Sequence, residues 1–481
     1  MKKINSFIAF LLISCAVSSQ NLISVTPMDS HSLAAVEANI NPSLQPDNAD
    51  LHALKSYKVV YNTTDVHGNP TIASGALYLP VLTDCAYVPI LVYEHSTEFR
   101  KAIVPSTNNY IIEAGYFSTT GYITILPDYL GLGVNPGVHI YQHAETEATA
   151  TLDLIRAVRE FLENAPDELK DNGELFITGY SHGGHSAMAT NKYIEDHNLH
   201  SEFNVVACAP LSGAYDQSGA QFDLMFDNDS TFYATPLIPY ILASYQEAYG
   251  NLYQSYEELY KPSHASQIEA FINSGTNDVT QWTDMLGTNY FVFMQDSVLH
   301  NMFADVNRDS HPINVALKAN NLYDWVPTNP MRMVYCGNDT MVSPYNTINT
   351  LDTMLALGAT QVEAVLLSQL GDHHTCYWPA KKYALDWFNT LATKCTYVSI
   401  DEFDKELVTL YPNPTKDILM VKGVELSNSN VTIHSSLGRL FENRSIINNQ
   451  IDVTELPPGI YFITIANKDK EVVLRMKFVK E

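Results

Sequence analysis

Eight short, nearly unbroken apolar runs rich in β-branched and aromatic residues constrain this chain more than any other feature. They are SYKVVY (56–61), TIASGALYL (71–79), VPILVYE (88–94), YITILP (122–127), ELFITG (174–179), FNVVACA (203–209), MRMVYCG (331–337) and VEAVLL (362–367). The later runs lack the alternation of a half-exposed strand, so both of their faces must be covered. Helical patterns lie between and after them, at 145–165, 183–197 and 375–393. Strands alternating with helices of this length imply a mostly parallel sheet with crossover helices on its faces. The first two runs are close enough to pair antiparallel. The chain therefore reads as an α/β protein with an eight-stranded sheet.

Two stretches fall outside that rhythm. The interval from about 214 to 330 shows no clear strand and is rich in aromatic residues, and it reads as a helical cap inserted after the sixth strand. Within it Tyr245, Tyr249, Tyr253, Tyr256 and Tyr260 recur every three or four residues, the spacing of one helix face. From 408 to 481 short alternating strands appear at 417–421, 430–434, 459–465 and 472–479, with Pro457-Pro458-Gly459 as a tight turn. That texture predicts a small all-β sandwich, joined by a linker at 397–407 to a catalytic unit at 21–396. Residues 21–50 are polar and read as an arm.

The N-terminus has Lys2 and Lys3, an apolar run from Ile4 to Val17, and then Ser18-Ser19-Gln20. That order is a secretory signal peptide over residues 1–20, too short in its apolar part to span a bilayer. Leu12-Ile13-Ser14-Cys15 also has the form of a lipoprotein cleavage box. No other segment is long and apolar enough to be a transmembrane span. Beyond the leader stand Cys85, Cys208, Cys336, Cys376 and Cys395, an odd set that leaves at least one thiol free. Cys208 and Cys336 lie in strand-like runs and read as buried small residues, which leaves a bridge to two of Cys85, Cys376 and Cys395. The balance of 27 basic against 53 acidic residues excludes nucleic acid and anionic membrane surfaces as partners.

The chemistry centres on Gly179-Tyr180-Ser181-His182-Gly183, which follows a predicted strand and opens a predicted helix. Acyl transfer needs a serine exposed on a sharp turn, with glycines where backbones approach closely. The helix N-terminus then supplies N–H groups and positive dipole for a developing oxyanion. A base and an acid must follow in the order serine, acid, histidine. Asp339 follows the seventh strand in CGNDTMVSP, with Asp216 as a reserve acid, and LSQLGDHHTCYW after the eighth strand offers His373 or His374. The second oxyanion donor is expected from the loop after the third strand, at Ser96 or Thr97, beside the N–H of His182. His139, His143, His182 and His185 have metal-like spacings without a matching set of carboxylates, so they read as packing or surface residues and no metal or cofactor is expected. Asp128 reads as holding its own loop.

These elements match the layout of an α/β-hydrolase fold, and the resemblance becomes specific over about 55–392. ILPDYLGLG (125–133), LDLIRAVR, GYSHGGHSA, GNDTMVSP and the D-H-x-x-C text at 372–376 resemble the secretory lipase family. The resemblance implies a serine esterase or lipase without cofactor, and its last motif favours His373 over His374. His95-Ser96-Thr97 stands where the family usually has His-Gly-Thr. The tail, through Leu410-Tyr411-Pro412-Asn413-Pro414-Thr415, Leu437-Gly438-Arg439 and Leu456-Pro457-Pro458-Gly459-Ile460-Tyr461, resembles a type A sorting domain of the type IX secretion system of Bacteroidetes. It implies passage through the periplasm, contact with that secretion machinery, removal of the tail, and a secreted or outer-surface destination. The expected partner is a small-molecule, lipid or polysaccharide ester. A serine peptidase of the prolyl-oligopeptidase type and a non-catalytic binding protein on the same fold stay open as alternatives.

Overall fold

The computed structural model describes residues 21–39, 51–82, 85, 87–107, 111–165, 169–226, 234–303, 309–394, 409–422, 430–435, 440–445, 449–466 and 472–481. The chain divides into two compact units, Met1–Cys395 and Thr396–Glu481. The signal-peptide and lipoprotein-box readings at 1–20, and the linker, lie outside the described residues.

In the first unit every predicted run forms a strand: β2 (Leu54–Thr64), β3 (Pro70–Pro80), β4 (Tyr87–Glu94), β5 (Ile123–Pro127), β6 (Lys170–Tyr180), β7 (Val205–Leu211), β8 (Met331–Cys336) and β9 (Val362–Ser368). A ninth, β1 (Leu22–His31), forms within the stretch that reads as an arm. It is an edge strand, with Pro27 next to a register shift, so its sequence lacks the apolar run of a central strand. The order is β1-β2-β3-β5-β4-β6-β7-β8-β9. Pairs from β1 to β3 and β3 to β5 are antiparallel, and those from β5 through β9 are parallel.

Short α1 (Leu33–Asn39) follows β1. Helices α2 (Ile111–Ser118) and α13 (His373–Asn389) cover one face of the sheet, with Tyr116, Phe117, Ala384 and Phe388 in its core. On the other face α3 (Ala144–Asn164), α4 (His182–Asp196) and α12 (Tyr345–Ala356) supply Leu154, Val158, Met188 and Met354.

Between β7 and β8 run α5 (Ala220–Met225), α6 (Leu237–Tyr249), α7 (Tyr256–Leu259), α8 (Pro262–Ser274), α9 (Val279–Leu286), α10 (Asp296–Phe303) and α11 (Pro312–Ala319). They share an aromatic core of their own, including Tyr245, Tyr253, Tyr260 and Trp282. The tyrosine series does not lie on one helix, because Gly250 adopts φ 68° and ends α6 before the series is complete.

In the second unit β10 (Thr409–Tyr411), β11 (Ile418–Lys422) and β14 (Gln450–Asp452) form one antiparallel sheet. A second contains β13 (Leu440–Ser445), β12 (Asn430–Ser435), β15 (Gly459–Ala466) and β16 (Val472–Lys480). Leu419, Val421 and Ile451 from the first meet Val431, Ile433, Ile463 and Phe478 from the second in one core.

The cysteine expectation is corrected. Cys336 is bridged to Cys376, Cys85 is also disulfide-bonded, and buried Cys208 is free. Cys336 ends its strand rather than sitting inside it, so its side chain can reach the first turn of α13. Cys395 lies outside the described residues.

Candidate active site

Ser181 sits between β6 and α4 with φ 62° and ψ −116°, a conformation rarely adopted by a residue with a side chain. Its N–H donates to the Leu211 carbonyl of the neighbouring strand at 2.8 Å. The flanking glycines are required by close approach. A Cβ at Gly179 would lie 2.3 Å from the Gly183 carbonyl oxygen, and one at Gly183 only 1.9 Å from that of Glu94. The turn thus wedges the first turn of α4 against the end of β4.

His373 is the first residue of α13, which Asp372 caps through a reciprocal pair of bonds with Thr375. Its Nε2 is 2.9 Å from Ser181 Oγ, and its Nδ1 is 2.6 Å from Asp339 Oδ2. The other carboxylate oxygen of Asp339 accepts the N–H groups of Met341 and Val342, both at 2.9 Å. The Tyr180 hydroxyl donates to the His373 carbonyl at 2.5 Å, and the two rings pack 5.0 Å apart. The Cys336–Cys376 bridge ties the strand that carries the acid to the helix that carries the imidazole. His374 is exposed at the same pocket, and Asp216 instead accepts the N–H of Ala220, the first residue of α5, at 2.9 Å.

Ser96 and Thr97 line the pocket together with Ser181. Ser96 Oγ donates to the Tyr180 carbonyl at 3.0 Å, so its hydroxyl is bonded back onto the serine turn. Thr97 Oγ1 is 2.9 Å from the Tyr141 hydroxyl. His182 opens α4, and at that position a helix offers its N–H no carbonyl four residues back to donate to. The cavity is about 500 Å³, within the range of small-molecule sites. Cap residues Ala234, Pro236, Leu237 and Val279 line one part, and Tyr377 and Trp378 of α13 another. None of the tyrosines in the 245–260 series reaches it.

Beneath the serine turn lies a buried polar cluster in which His182 and His185, expected to lack a carboxylate, share one. Glu147 of α3 accepts from His182 Nε2 at 2.6 Å and from His185 Nδ1 at 2.8 Å, one on each oxygen. Burial alone would raise its carboxyl, but the two imidazoles, His185 foremost, hold it below the usual carboxylate range. Burial pushes His182 the other way, toward its neutral form. The result is an ionised Glu147 receiving N–H bonds from its neighbours. Glu94, which accepts from Thr151 Oγ1 at 2.8 Å, is pushed up by burial to about 8 and is protonated at neutral pH. A signal was present: Glu147 falls on the stripe of Thr151, Leu154 and Val158, the buried face of α3. His139 and His143 are buried packing residues, with His139 Nδ1 3.0 Å from the Tyr240 hydroxyl and His143 capping α3. Asp128 holds its loop by accepting Ser74 Oγ at 2.5 Å and the Ser106 N–H at 2.9 Å. Among the described residues no group of three or more His, Cys, Asp or Glu could hold a metal ion.

The family profile described as secretory lipase matches residues 112–394. The chain belongs to the secretory lipase family. Residues 409–481 match a secretion system C-terminal sorting domain. No curated protein sequence matches. Among solved structures, a ligand-bound form of the rice cell wall degrading esterase LipA from Xanthomonas oryzae is 26% identical, with a TM-score of 0.68 over 77% of this chain and 97% of that one. A putative hydrolase from Legionella pneumophila is 25% identical, with a TM-score of 0.69 over 77% and 98%. Candida antarctica lipase A in its closed state, 16% identical with a TM-score of 0.55 over 76% and 82%, shares the fold. The chain is a carboxylic ester hydrolase of the α/β-hydrolase fold, secreted or held at the cell surface, with a type IX sorting tail. No helix among the described residues is long and apolar enough to cross a membrane.

Proposed function

We propose that this secretory lipase hydrolyses esters through an acyl-serine intermediate carried by Ser181, His373 and Asp339. The observation that supports it is the continuous hydrogen-bonded line from hydroxyl to imidazole to carboxylate, 2.9 Å and 2.6 Å long. Nδ1 of His373 donates to Asp339, which leaves Nε2 as the lone pair facing the serine hydroxyl. The imidazole takes the serine proton as Oγ attacks the ester carbonyl, and returns it to the departing alkoxide. A water then attacks the acyl-serine with the same base. The N–H groups of His182 and of Ser96 or Thr97 receive the oxyanion, aided by the positive end of α4.

The rice cell wall degrading esterase motivates the substrate choice: an ester carried on plant cell-wall polysaccharide, alongside simple alkyl and aryl esters. The unit at 409–481 directs export and is removed afterwards. Ser181→Ala should abolish turnover of a short p-nitrophenyl ester and labelling by a fluorophosphonate while circular dichroism stays unchanged. Undiminished turnover in that variant would end the proposal. A panel of esters and matched peptides then separates esterase from peptidase action.

A further inference from the structure

Lys381 of α13 is wholly buried, and its Nζ has no hydrogen-bond partner. An ammonium in that situation ordinarily carries a prohibitive desolvation cost. Three aromatic rings stand in for the missing acceptors: Nζ lies 3.7 Å from the ring centre of Tyr377, 4.4 Å from that of Trp378 and 4.6 Å from that of Tyr93. All three distances lie inside the range of cation–π attraction, which strengthens where water is excluded. Two of the rings, Tyr377 and Trp378, line the ester pocket. Tyr377 also packs edge-on against Tyr180, at 5.0 Å, and Tyr180 in turn holds the His373 carbonyl.

Resting on the ester-hydrolase reading above, we propose that Lys381 is a positioning residue for substrate selection. From behind the pocket it fixes Tyr377 and Trp378 as a rigid aromatic wall, so the site favours esters whose acyl or alcohol part is a flat apolar group that packs on that wall. Spacing places the anchor on the same helix, since Lys381 follows Tyr377 by four residues and Trp378 by three. A longer or more mobile contact would not hold two rings at once.

The groups around the amine are few. Tyr93 comes from β4 and Glu113 from α2, whose carboxylate accepts the Tyr377 hydroxyl at 3.1 Å. Tyr116, also from α2, meets Trp378 at 5.8 Å. Burial lowers the Lys381 amine to about 7, against a weaker pull upward from Glu113. The charge is therefore present on the acid side of neutrality and lost above it, and the wall is firmest on the acid side.

The test is Lys381→Met, which keeps length and apolar volume. At about pH 6, KM for an aryl ester should rise about fivefold, short of the roughly thirtyfold of a full desolvated cation–π contact because the lysine acts on substrate only through the rings, with a smaller change in kcat. Tryptophan emission should show a pH-dependent step near neutrality in the wild type that the variant lacks, read without any substrate. An unchanged KM overturns the proposal, whatever the emission profile. If the variant does not fold, the wild type carries the test: its KM for the aryl ester should rise as pH passes through neutrality, and a flat profile overturns it. Fluorophosphonate labelling run in parallel separates the two ideas. A labelled serine with unaltered KM removes only the role of Lys381, whereas an unlabelled serine removes the catalytic reading beneath it.

Discussion

Replacing Glu147 by glutamine tests the cluster beneath the serine turn. The native carboxylate uses both oxygens, at 2.6 and 2.8 Å, on two histidines that are as buried as it is. Glutamine keeps the shape but offers one oxygen and an amide nitrogen, so one imidazole N–H faces a donor. Breaking one partner of a buried ionic contact costs about 3–5 kcal/mol. A separate count agrees: one or two buried groups left unsatisfied cost about 1–3 kcal/mol each. With a urea slope near 3 kcal/mol per molar for a unit of this size, the unfolding midpoint should fall by roughly 1 M or more. The assay is urea unfolding of the full chain, followed by near-ultraviolet dichroism and residual esterase activity. The deficit also depends on pH. Because the folded-state carboxyl lies below its unfolded value, its stabilisation is complete above the ordinary carboxylate range and is lost as pH falls through the depressed value. Wild type and variant should therefore converge in strong acid. A midpoint shift under about 0.3 M at neutral pH would show that the three residues are merely adjacent and would refute the reasoning.

Three further outcomes follow from the site. Asp339→Asn should lower kcat by about 10³–10⁴ with the fold intact, through loss of the tautomer that leaves Nε2 free, as steady-state kinetics would show. Gly183→Ala should abolish activity and soluble yield, because the added carbon meets the Glu94 carbonyl at 1.9 Å; expression with activity within a few-fold of wild type would contradict the close approach. Cys336→Ser opens a bridge spanning 40 residues, and chain entropy puts that loss at roughly 4 kcal/mol, measurable as a lower denaturation midpoint and lower kcat at temperatures where the variant remains folded.

The sequence carried the central sheet because strands covered on both faces, such as β4 and β5, leave continuous apolar runs, whereas β2 alternates and β9, apolar in sequence, is an edge strand left half open to solvent. It did not carry β1, whose residues face solvent for most of its length. Ser181, Asp339 and His373 could be named because each follows the end of a particular strand, and in the structure the three lie in one hydrogen-bonded line. Asp216 sits after a strand too, but its carboxylate serves a helix end, a distinction that only geometry makes. The tyrosine series misled because side-chain spacing says nothing about the left-handed turn at Gly250. Cys336 misled because a cysteine at the edge of an apolar run looks the same whether it packs or bonds. Glu147 is hard to see in the sequence because the spacing of a charge on α3 does not say that two histidines of the next helix meet it.

The bridge between β8 and α13 also carries a timing. Thiols stay reduced in the cytoplasm and oxidise in exported chains. The loop that bears Asp339 and the helix that bears His373 are therefore stapled to each other only once the chain has left the compartment where it was made.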